Sequence, residues 1–229
     1  IEIRLFNPFP HRKVRALGYL TDFPRLNRRM HNKSLTADNQ YTIVGGRNIG
    51  DEYFNVTTDI GFADLDVLAK GEVAEDVSRD FDRYWASGSS YPFFSIAPRA
   101  DAEKGRLKLH RSRRDDAEIR ASYLDELAAS PLAAAISEGN VPWQYADARL
   151  ISDDPAKGLA RDKVLPAIAD SLLEALGKPE KDVFIVSPYF VPSKWGMAAL
   201  RDLTANNVKV TVLTNSLRAT DVAAVHSGY

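Results

Sequence analysis

The stretch "DVFIVSPYFVPSKWGMAALRDLTANNVKVTVLTN", residues 182–215, decides the fold class. Its first part, 182–192, is a near-continuous apolar run, which is typical of a strand buried on both faces. An amphipathic segment over 195–205 follows, and then the alternating run "VKVTVLTN" at 208–215. Strand, helix and strand with short links favour a parallel sheet. The stretch therefore predicts an α/β protein.

Apolar patterns elsewhere in the chain predict further helices and strands. "KSLTA" (33–37) and "YTIVGG" (41–46) predict an antiparallel hairpin around the polar turn "DNQ". Residues 88–140, which are dense in both charges, predict an insertion. The fold class is then a mixed, largely parallel sheet flanked by helices. The remaining predicted elements are strands over 1–6, 62–71 and 146–155, and helices over 73–87, 119–130 and 165–177.

The composition narrows the class of protein and the kinds of site. The chain has 229 residues, 45% of them hydrophobic, which is enough for a substantial core. Its net charge of −1 gives no global attraction to nucleic acid or to an anionic membrane. The absence of cysteine excludes disulfides and thiolate metal sites, and no apolar run approaches the ~18 residues that span a bilayer. Because the chain starts at Ile1 in a predicted strand, we expect a piece of a longer protein.

One of the four histidines has a distinctive set of following residues, in the pattern H-x-K-x(4)-D-x(6)-G-G-x-N. The histidine at 11 also has a lysine two residues later, but it has glycine in place of the aspartate. The histidines at 110 and 226 lack the lysine as well. The complete pattern occurs once, and it consists of His31, Lys33, Asp38, Gly45, Gly46 and Asn48.

The residue types in this pattern suit chemistry on a phosphodiester. A neutral imidazole, here that of His31, can act as a nucleophile or as a proton donor near neutral pH. Side chains two residues apart on a strand share a face, so we expect Lys33 to project with His31 and to hold a phosphate oxygen. The Asn48 amide is suited to donate a hydrogen bond to the same phosphate, while Gly45 and Gly46 allow close approach of backbone and ligand.

The pattern resembles the HKD motif of the phospholipase D superfamily, and the resemblance extends to other segments. "RLFNPF", "RRMHNK", "GGRNIGDEYF", "FADLDVLAKG" and "SPYFVPS" are similar to segments of bacterial cardiolipin synthases, particularly those with a long insertion between their two halves. The resemblance implies a phospholipase D-like αβα sandwich. It also implies transfer of a phosphatidyl group between phospholipids, with phosphatidylglycerol or a similar lipid as substrate and phosphohistidine as intermediate.

The same resemblance implies no cofactor, and it implies peripheral attachment to a bacterial membrane, with the inner membrane as the expected place. Nucleic acid is not expected as a partner. A metal is not expected either, because one histidine and one aspartate amid cationic residues are an unfavourable site for a divalent ion.

Two interpretations of Asp38 remain open. In the family the motif aspartate supports catalysis, and it would do so by orienting a neighbouring histidine or lysine. It also falls in the predicted turn "DNQ", five residues beyond Lys33, where an aspartate serves the geometry of the turn. Spacing alone does not decide between a supporting residue and a turn residue.

Enzymes of this family need two HKD motifs that face each other, and this chain has one. We expect residues 1–180 to be the later part of a first repeat, with the insertion within it. Residues 181–229 resemble the opening of a second repeat that stops before its motif. The expected partner is therefore the second HKD half from a missing C-terminal part, and this piece alone is expected to be inactive.

Three other functions are compatible with the motif. With water as the acceptor, the enzyme would be a phospholipase D hydrolase. A phosphodiesterase or nuclease could instead pair one motif from each of two identical chains, but this leaves the second-repeat opening unexplained. A non-enzymatic protein could bind anionic lipid or phosphate without turnover.

Overall fold

The computed structural model describes residues 1–9, 15–26, 28–54, 61–96, 117–159, 168–192 and 194–218. The chain divides into two compact units, Ile1–Leu165 and Pro166–Tyr229. Both units contain helices and strands, so the predicted α/β class is confirmed. No helix within the described ranges has the length and apolar character needed to cross a bilayer.

The first unit contains five strands, five α-helices and two 3-10 turns among the described residues. The 3-10 turns are Asp51–Tyr53 and Pro155–Gly158. In chain order the strands and helices are β1 (Arg4–Phe6), α1 (Arg15–Leu26), β2 (Ser34–Ala37), β3 (Tyr41–Val44), β4 (Val67–Lys70), α2 (Glu72–Trp85), β5 (Ser90–Pro92), α3 (Phe93–Ile96), α4 (Ala117–Ala128) and α5 (Pro131–Ser137).

These strands form two small antiparallel sheets. β1 pairs with β5, and the predicted hairpin of β2 and β3 is extended by β4, with β3 in the centre. The expectation of a largely parallel sheet is therefore not met by the described residues, in which only two strands of the second unit are parallel. The short link "DNQ" accounts for the antiparallel β2–β3 pair, as predicted, because a parallel pairing needs a much longer crossover.

Helix α2 forms the main packing surface of the first unit. Ala74, Val77 and Tyr84 recur on one side of it and are at most 9% exposed, as the helical spacing predicts. The helix contacts β2, β3 and β4, and the Tyr84 ring packs on that of Phe6 with centroids 5.3 Å apart. Phe81, which the sequence places on the same buried stripe, is 53% exposed. The helix therefore contacts both the motif hairpin and Phe6 of β1.

The charged region over 88–140, which we predicted to be an insertion, contains a strand near its start. Residues 90–92, which we expected to lie outside the sheet, form β5 and pair with β1. Residues 97–116 lie outside the described part of the chain. The helix predicted over 119–130 is confirmed as α4, and α5 begins at a Ser130 cap whose hydroxyl accepts from the Ala133 amide.

The strand predicted over 146–155 is wrong, because residues 141–154 contain no strand. The cause lies in the sequence "SDDP". The Asp154 carboxylate accepts from the Ala156 amide at 2.7 Å and caps the 3-10 turn that starts at Pro155. A bond of this kind, from a side chain to the nearby backbone, competes with pairing in a sheet. The Ser152 hydroxyl donates to Asp80 on α2 at 2.7 Å.

The second unit contains α6 (Ile168–Leu176), β6 (Asp182–Val186), α7 (Lys194–Ala205) and β7 (Lys209–Leu213). β6 and β7 are parallel, so the strand–helix–strand unit read from the opening stretch is confirmed. Gly177 ends α6 as predicted, with a positive φ of 67°. The prediction that β6 is buried on both faces is wrong, since Phe184 and Val186 are each 65% exposed.

Candidate active site

The turn of the motif hairpin has an unusual backbone that its residues favour. Asp38 and Asn39 have positive φ angles of 53° and 56°, and the Gln40 amide donates to the Ala37 carbonyl at 3.0 Å. Two successive positive φ angles are what a type I′ turn requires, and aspartate and asparagine tolerate them better than other side chains. The sequence "DNQ" therefore closes the hairpin in the conformation that suits twisted strands.

His31 and Lys33 lie beside each other directly before β2. Lys33 Nζ is 3.1 Å from His31 Nδ1, and it donates to the His31 carbonyl oxygen at 2.9 Å. The predicted strand face does not bring them together, since β2 starts at Ser34. The two residues are in contact because the Lys33 side chain folds back, so that its ammonium group reaches His31.

This contact determines which ring nitrogen of His31 carries the proton. An ammonium group has only donors, so Nδ1 accepts and the neutral imidazole has its hydrogen on Nε2. The imidazole is exposed, whereas the lysine is half-buried. The accessible part of the pair is therefore an imidazole N–H, which can donate a hydrogen bond to an anion in front of it.

Gly45 and Gly46 lie against two carboxylates that precede β4. A Cβ added to Gly45 would be 2.7 Å from Cγ and 3.1 Å from Cα of Asp66. One added to Gly46 would be 2.8 Å from Cγ of Asp64. Real Cβ atoms do not pack at such distances, so a side chain at either position would require the aspartate that it meets to move. The close approach predicted for a ligand is made here by carboxylates of the chain itself.

Arg47 connects one of these carboxylates to the 3-10 turn that follows the hairpin. Its guanidinium pairs with Asp66 and donates to the Tyr53 carbonyl. The Tyr53 ring packs on Phe62 with centroids 5.1 Å apart. The Tyr53 hydroxyl accepts from the Asn48 amide at 2.8 Å. Asn48, predicted to bind phosphate, thus uses one of its two N–H donors on a protein partner.

The structure does not bring Asp38 together with the histidine. It is exposed at the tip of the hairpin. A strand rises ~3.3 Å per residue, which puts it about 16 Å along the chain from Lys33. Its observed position fits the turn interpretation, and a supporting catalytic role for Asp38 stays a prediction.

A buried asparagine holds the start of the motif segment 28–33 in place. Asn7 is 2% exposed, and its side-chain amide donates to the carbonyls of Arg25 at 2.9 Å and Arg28 at 2.7 Å. Its side-chain oxygen accepts from the Arg25 guanidinium. The Arg28 guanidinium in turn donates to the Lys157 carbonyl at 3.2 Å. The motif segment is therefore fixed to β1's end and to the 3-10 turn at Pro155–Gly158.

The sequence did not predict Asp64 and Asp66 as neighbours of the glycine pair, or Asn7 as the residue that anchors the motif segment. The D-x-D spacing in "FADLD" was the available signal, since alternate residues entering a strand project to the same side. Among the described residues, no three His, Asp or Glu side chains are grouped so that they could hold a metal ion.

Comparisons with known proteins find two relatives that are named as cardiolipin synthases. It is 46% identical over 230 residues to cardiolipin synthase C of Escherichia coli K12, an alignment that covers the whole chain and 48% of that protein. It is 25% identical over 190 residues to a cardiolipin synthase of Clostridium perfringens SM101, which covers 82% of the chain and 32% of that protein.

A third relative, from Helicobacter pylori 26695, is described only as an uncharacterized protein. It is 32% identical over 234 residues, covering the whole chain and 46% of its own length. The chain thus spans about half the length of the relatives that it matches over its full extent. No family model matches the chain, and no solved structure matches it significantly.

Proposed function

We propose that the chain belongs to the cardiolipin synthases of the phospholipase D superfamily and forms one catalytic half of a phosphatidyltransferase. The observation that carries the proposal is the 46% identity over the whole chain to cardiolipin synthase C. The contact between Lys33 and His31 supports it, because it places a cation and an imidazole at one exposed point.

The His31–Lys33 pair supplies the nucleophile and the charge for the first step. A phosphodiester that binds Lys33 draws the ammonium away from His31 Nδ1. The ring proton can then reside on Nδ1, which leaves the Nε2 lone pair free. Attack by Nε2 forms the P–N bond of a phosphohistidine and breaks the P–O bond to the leaving glycerol group. Lys33 stabilises the charge that grows on the phosphate oxygens during this attack.

The leaving alkoxide needs a proton, which the histidine of a second HKD motif would give. In the second step the hydroxyl of another phospholipid returns its proton to that histidine and attacks phosphorus, and the P–N bond breaks. We assign this second motif to residues beyond 229. In this assignment, residues 1–180 are the later part of the first repeat and 181–229 the opening of the second, within a phospholipase D-like αβα sandwich.

The proposed substrates are phospholipids such as phosphatidylglycerol, which would be met at the surface of the bacterial inner membrane. Asn48 has a second N–H donor for a phosphate oxygen. Peripheral attachment fits substrates whose phosphates lie at the bilayer surface.

The test uses the complete reading frame that contains this chain, with vesicles of phosphatidylglycerol. Mass spectrometry of the lipids should show cardiolipin, with glycerol released in equal amount. His31→Ala should abolish this product, because alanine has no nitrogen that could form the bond to phosphorus. A phosphatidyl-enzyme that survives alkali but not acid should accumulate in the unsubstituted protein, as expected for a P–N bond.

The chain contains a matched control in His11→Ala. His11 also has a lysine two residues later, but it lacks the rest of the motif, so this variant should keep full activity. Cardiolipin synthesis by His31→Ala would refute the role of His31. Phosphatidic acid as the only product would identify a hydrolase, and nuclease activity that is second order in protein would identify a dimer of single motifs.

A further inference from the structure

The guanidinium group of Arg29 lies over an aromatic ring close to the catalytic pair. Its Cζ is 4.5 Å from the centroid of the Phe9 ring, a distance at which a cation and the face of a ring attract each other. The arginine is exposed. Stacking covers one face of the flat guanidinium, whereas its N–H donors point outwards in its plane. The ring therefore holds the cation without using its hydrogen-bond donors.

These donors have no protein partner. Among the described residues, the Arg29 guanidinium makes no hydrogen bond and no ion pair. Other arginines around the motif differ in this respect, since Arg28 donates to the Lys157 carbonyl at 3.2 Å and Arg47 pairs with Asp66. A held guanidinium with free donors is suited to bind a phosphate through two parallel hydrogen bonds.

The backbone next to Arg29 is fixed as well. The side-chain amide of Asn7, which is 2% exposed, donates to the Arg28 carbonyl at 2.7 Å. The ring under the guanidinium belongs to Phe9, two residues after this asparagine. Two successive residues of the motif segment are thus held by the segment 7–9, one through its backbone and one through its side chain.

Arg29 lies on the same side of the motif segment as His31 and Lys33. Residues 28–33 contain no helix and no turn, and alternate side chains of an extended chain point to the same side. The contact between Lys33 Nζ and His31 Nδ1, at 3.1 Å, shows this for one pair of alternate residues. Arg29 is the preceding alternate residue, and two residues of an extended chain span about 7 Å.

This spacing suits a second phosphate rather than the one that reacts. In the proposed first step the reacting phosphorus becomes bonded to His31, and Lys33 binds its oxygens. In cardiolipin a bridge of three carbons and two oxygens joins the two phosphates, and its length is comparable to the spacing of Arg29 from His31. The second phosphate is the one that the acceptor lipid brings.

We propose that Arg29 is a specificity-determining residue that binds the phosphate of the acceptor phospholipid. The proposal rests on the proposed function, because it concerns the second step at the same site. In that step the acceptor's hydroxyl oxygen forms the new P–O bond, the P–N bond to His31 breaks, and the hydroxyl proton passes to the histidine of the second motif. Water brings no phosphate, so Arg29 favours transfer over hydrolysis.

Two other roles of Arg29 predict different products. If it binds the reacting phosphate together with Lys33, its loss slows formation of the phosphatidyl-enzyme, and cardiolipin and phosphatidic acid fall together. If it only attracts the protein to anionic vesicles, loss of any exposed arginine lowers both products alike. A site for the acceptor predicts instead that the ratio of the two products changes.

The experiment measures this ratio in the complete reading frame with phosphatidylglycerol vesicles. Arg29→Gln should lower the ratio of cardiolipin to phosphatidic acid about tenfold or more, as expected for loss of a charge-assisted bond to the acceptor. The burst of glycerol in the first turnover, which reports formation of the phosphatidyl-enzyme, should change less than threefold. Arg29→Lys should give an intermediate ratio, because it keeps the charge but loses the planar pair of donors.

The matched control is Arg149→Gln, which removes the same charge from another exposed arginine. Among the described residues Arg149 has no ion pair, and it lies outside the motif segment. This variant should keep both the ratio and the burst. An unchanged ratio in Arg29→Gln would overturn the proposal, and so would a burst that falls in step with both products, because Arg29 would then act before the acceptor binds.

A second measurement removes the attraction to vesicles from the comparison. Glycerol and glycerol phosphate are offered as soluble acceptors to the phosphatidyl-enzyme, and they give phosphatidylglycerol and its phosphate. The unsubstituted protein and Arg149→Gln should prefer glycerol phosphate, and Arg29→Gln should lose this preference. The same preference in Arg29→Gln would overturn the proposal. Failure of the proposed function is seen separately, as phosphatidic acid alone from the unsubstituted protein, and the acceptor site would fall with it.

Discussion

Gly45 and Gly46 differ in what a methyl group would meet, and this difference predicts unequal costs for two identical substitutions. Neither glycine has a positive φ, so alanine suits the backbone at both positions. At Gly46 the obstructing atoms all belong to the Asp64 side chain, which can turn away. At Gly45 the obstruction includes Asp66 Cα at 3.1 Å, and Asp66 also pairs with Arg47.

The expected cost follows from these contacts. Overpacking a rigid neighbour costs ~1–3 kcal/mol, and loss of the partly exposed pair with Arg47 adds at most ~1 kcal/mol. Alanine regains ~0.4–1 kcal/mol by restricting the unfolded chain. Gly45→Ala should therefore destabilise by about 2 kcal/mol, whereas Gly46→Ala should stay within about 1 kcal/mol of the unsubstituted protein.

Urea unfolding of the purified protein, followed by circular dichroism, measures both changes. With a slope of ~3 kcal/mol/M, Gly45→Ala should shift the midpoint by roughly 0.7 M at an unchanged slope. Asp64→Ala should remove any residual cost of Gly46→Ala, while Asp66→Ala should relieve Gly45→Ala only in part. Equal midpoints for the two alanine variants, or a larger shift for Gly46→Ala, would refute the reasoning.

Two other features give predictions of stability. Gly177 ends α6 with a φ of 67°, so Gly177→Ala should cost ~1 kcal/mol and Gly177→Asn clearly less, both read from the urea midpoint; equal costs would contradict the left-handed cap. Burial raises the pKa of Tyr84 above its ordinary 10.0, so the folded protein keeps a proton that the unfolded chain releases. The stability from this group is then present below about pH 10 and is lost as pH rises further. Tyr84→Phe should therefore show a shallower fall of unfolding free energy between about pH 9 and about pH 11, and identical slopes in the two proteins would refute it.

The elements that the sequence predicted well are those whose causes are local. The hairpin around "DNQ" follows from turn residues, and the end of α6 follows from a glycine. The strand–helix–strand unit of residues 182–213 follows from a change in apolar period. In each of these cases the side chains that determine the structure lie within a few residues of the feature.

The features that the sequence did not predict depend on partners distant in the chain. Asn7 binds carbonyls 18 and 21 residues away, and no local pattern marks such an asparagine. Gly45 and Gly46 follow β3, and the two carboxylates opposite them precede β4. Their contact therefore depends on the register in which β3 pairs with β4. The strand expected at 146–155 failed because the apolar pattern of Leu150 and Ile151 was outweighed by capping bonds of the residues that follow.

For the same reason, the sequence predicted the positions of the site residues but not all of their contacts. The six motif positions could be found from spacing, and two of them, His31 and Lys33, are in contact. Their contact was expected from a strand face, but it results from the length of the lysine side chain, which reaches back to the histidine. Spacing also did not predict that the Asn48 amide donates a hydrogen bond to the Tyr53 hydroxyl.

Helix α2 contacts both strands of the motif hairpin and β4 as well. Near the middle of the helix, Ser78 donates to Asn39 at the hairpin tip at 2.6 Å. In native-state hydrogen exchange, the amides of α2, β2 and β3 should therefore open as one cooperative unit, with a common dependence on denaturant. Unfolding of α2 would therefore also release His31 and Lys33, which directly precede β2.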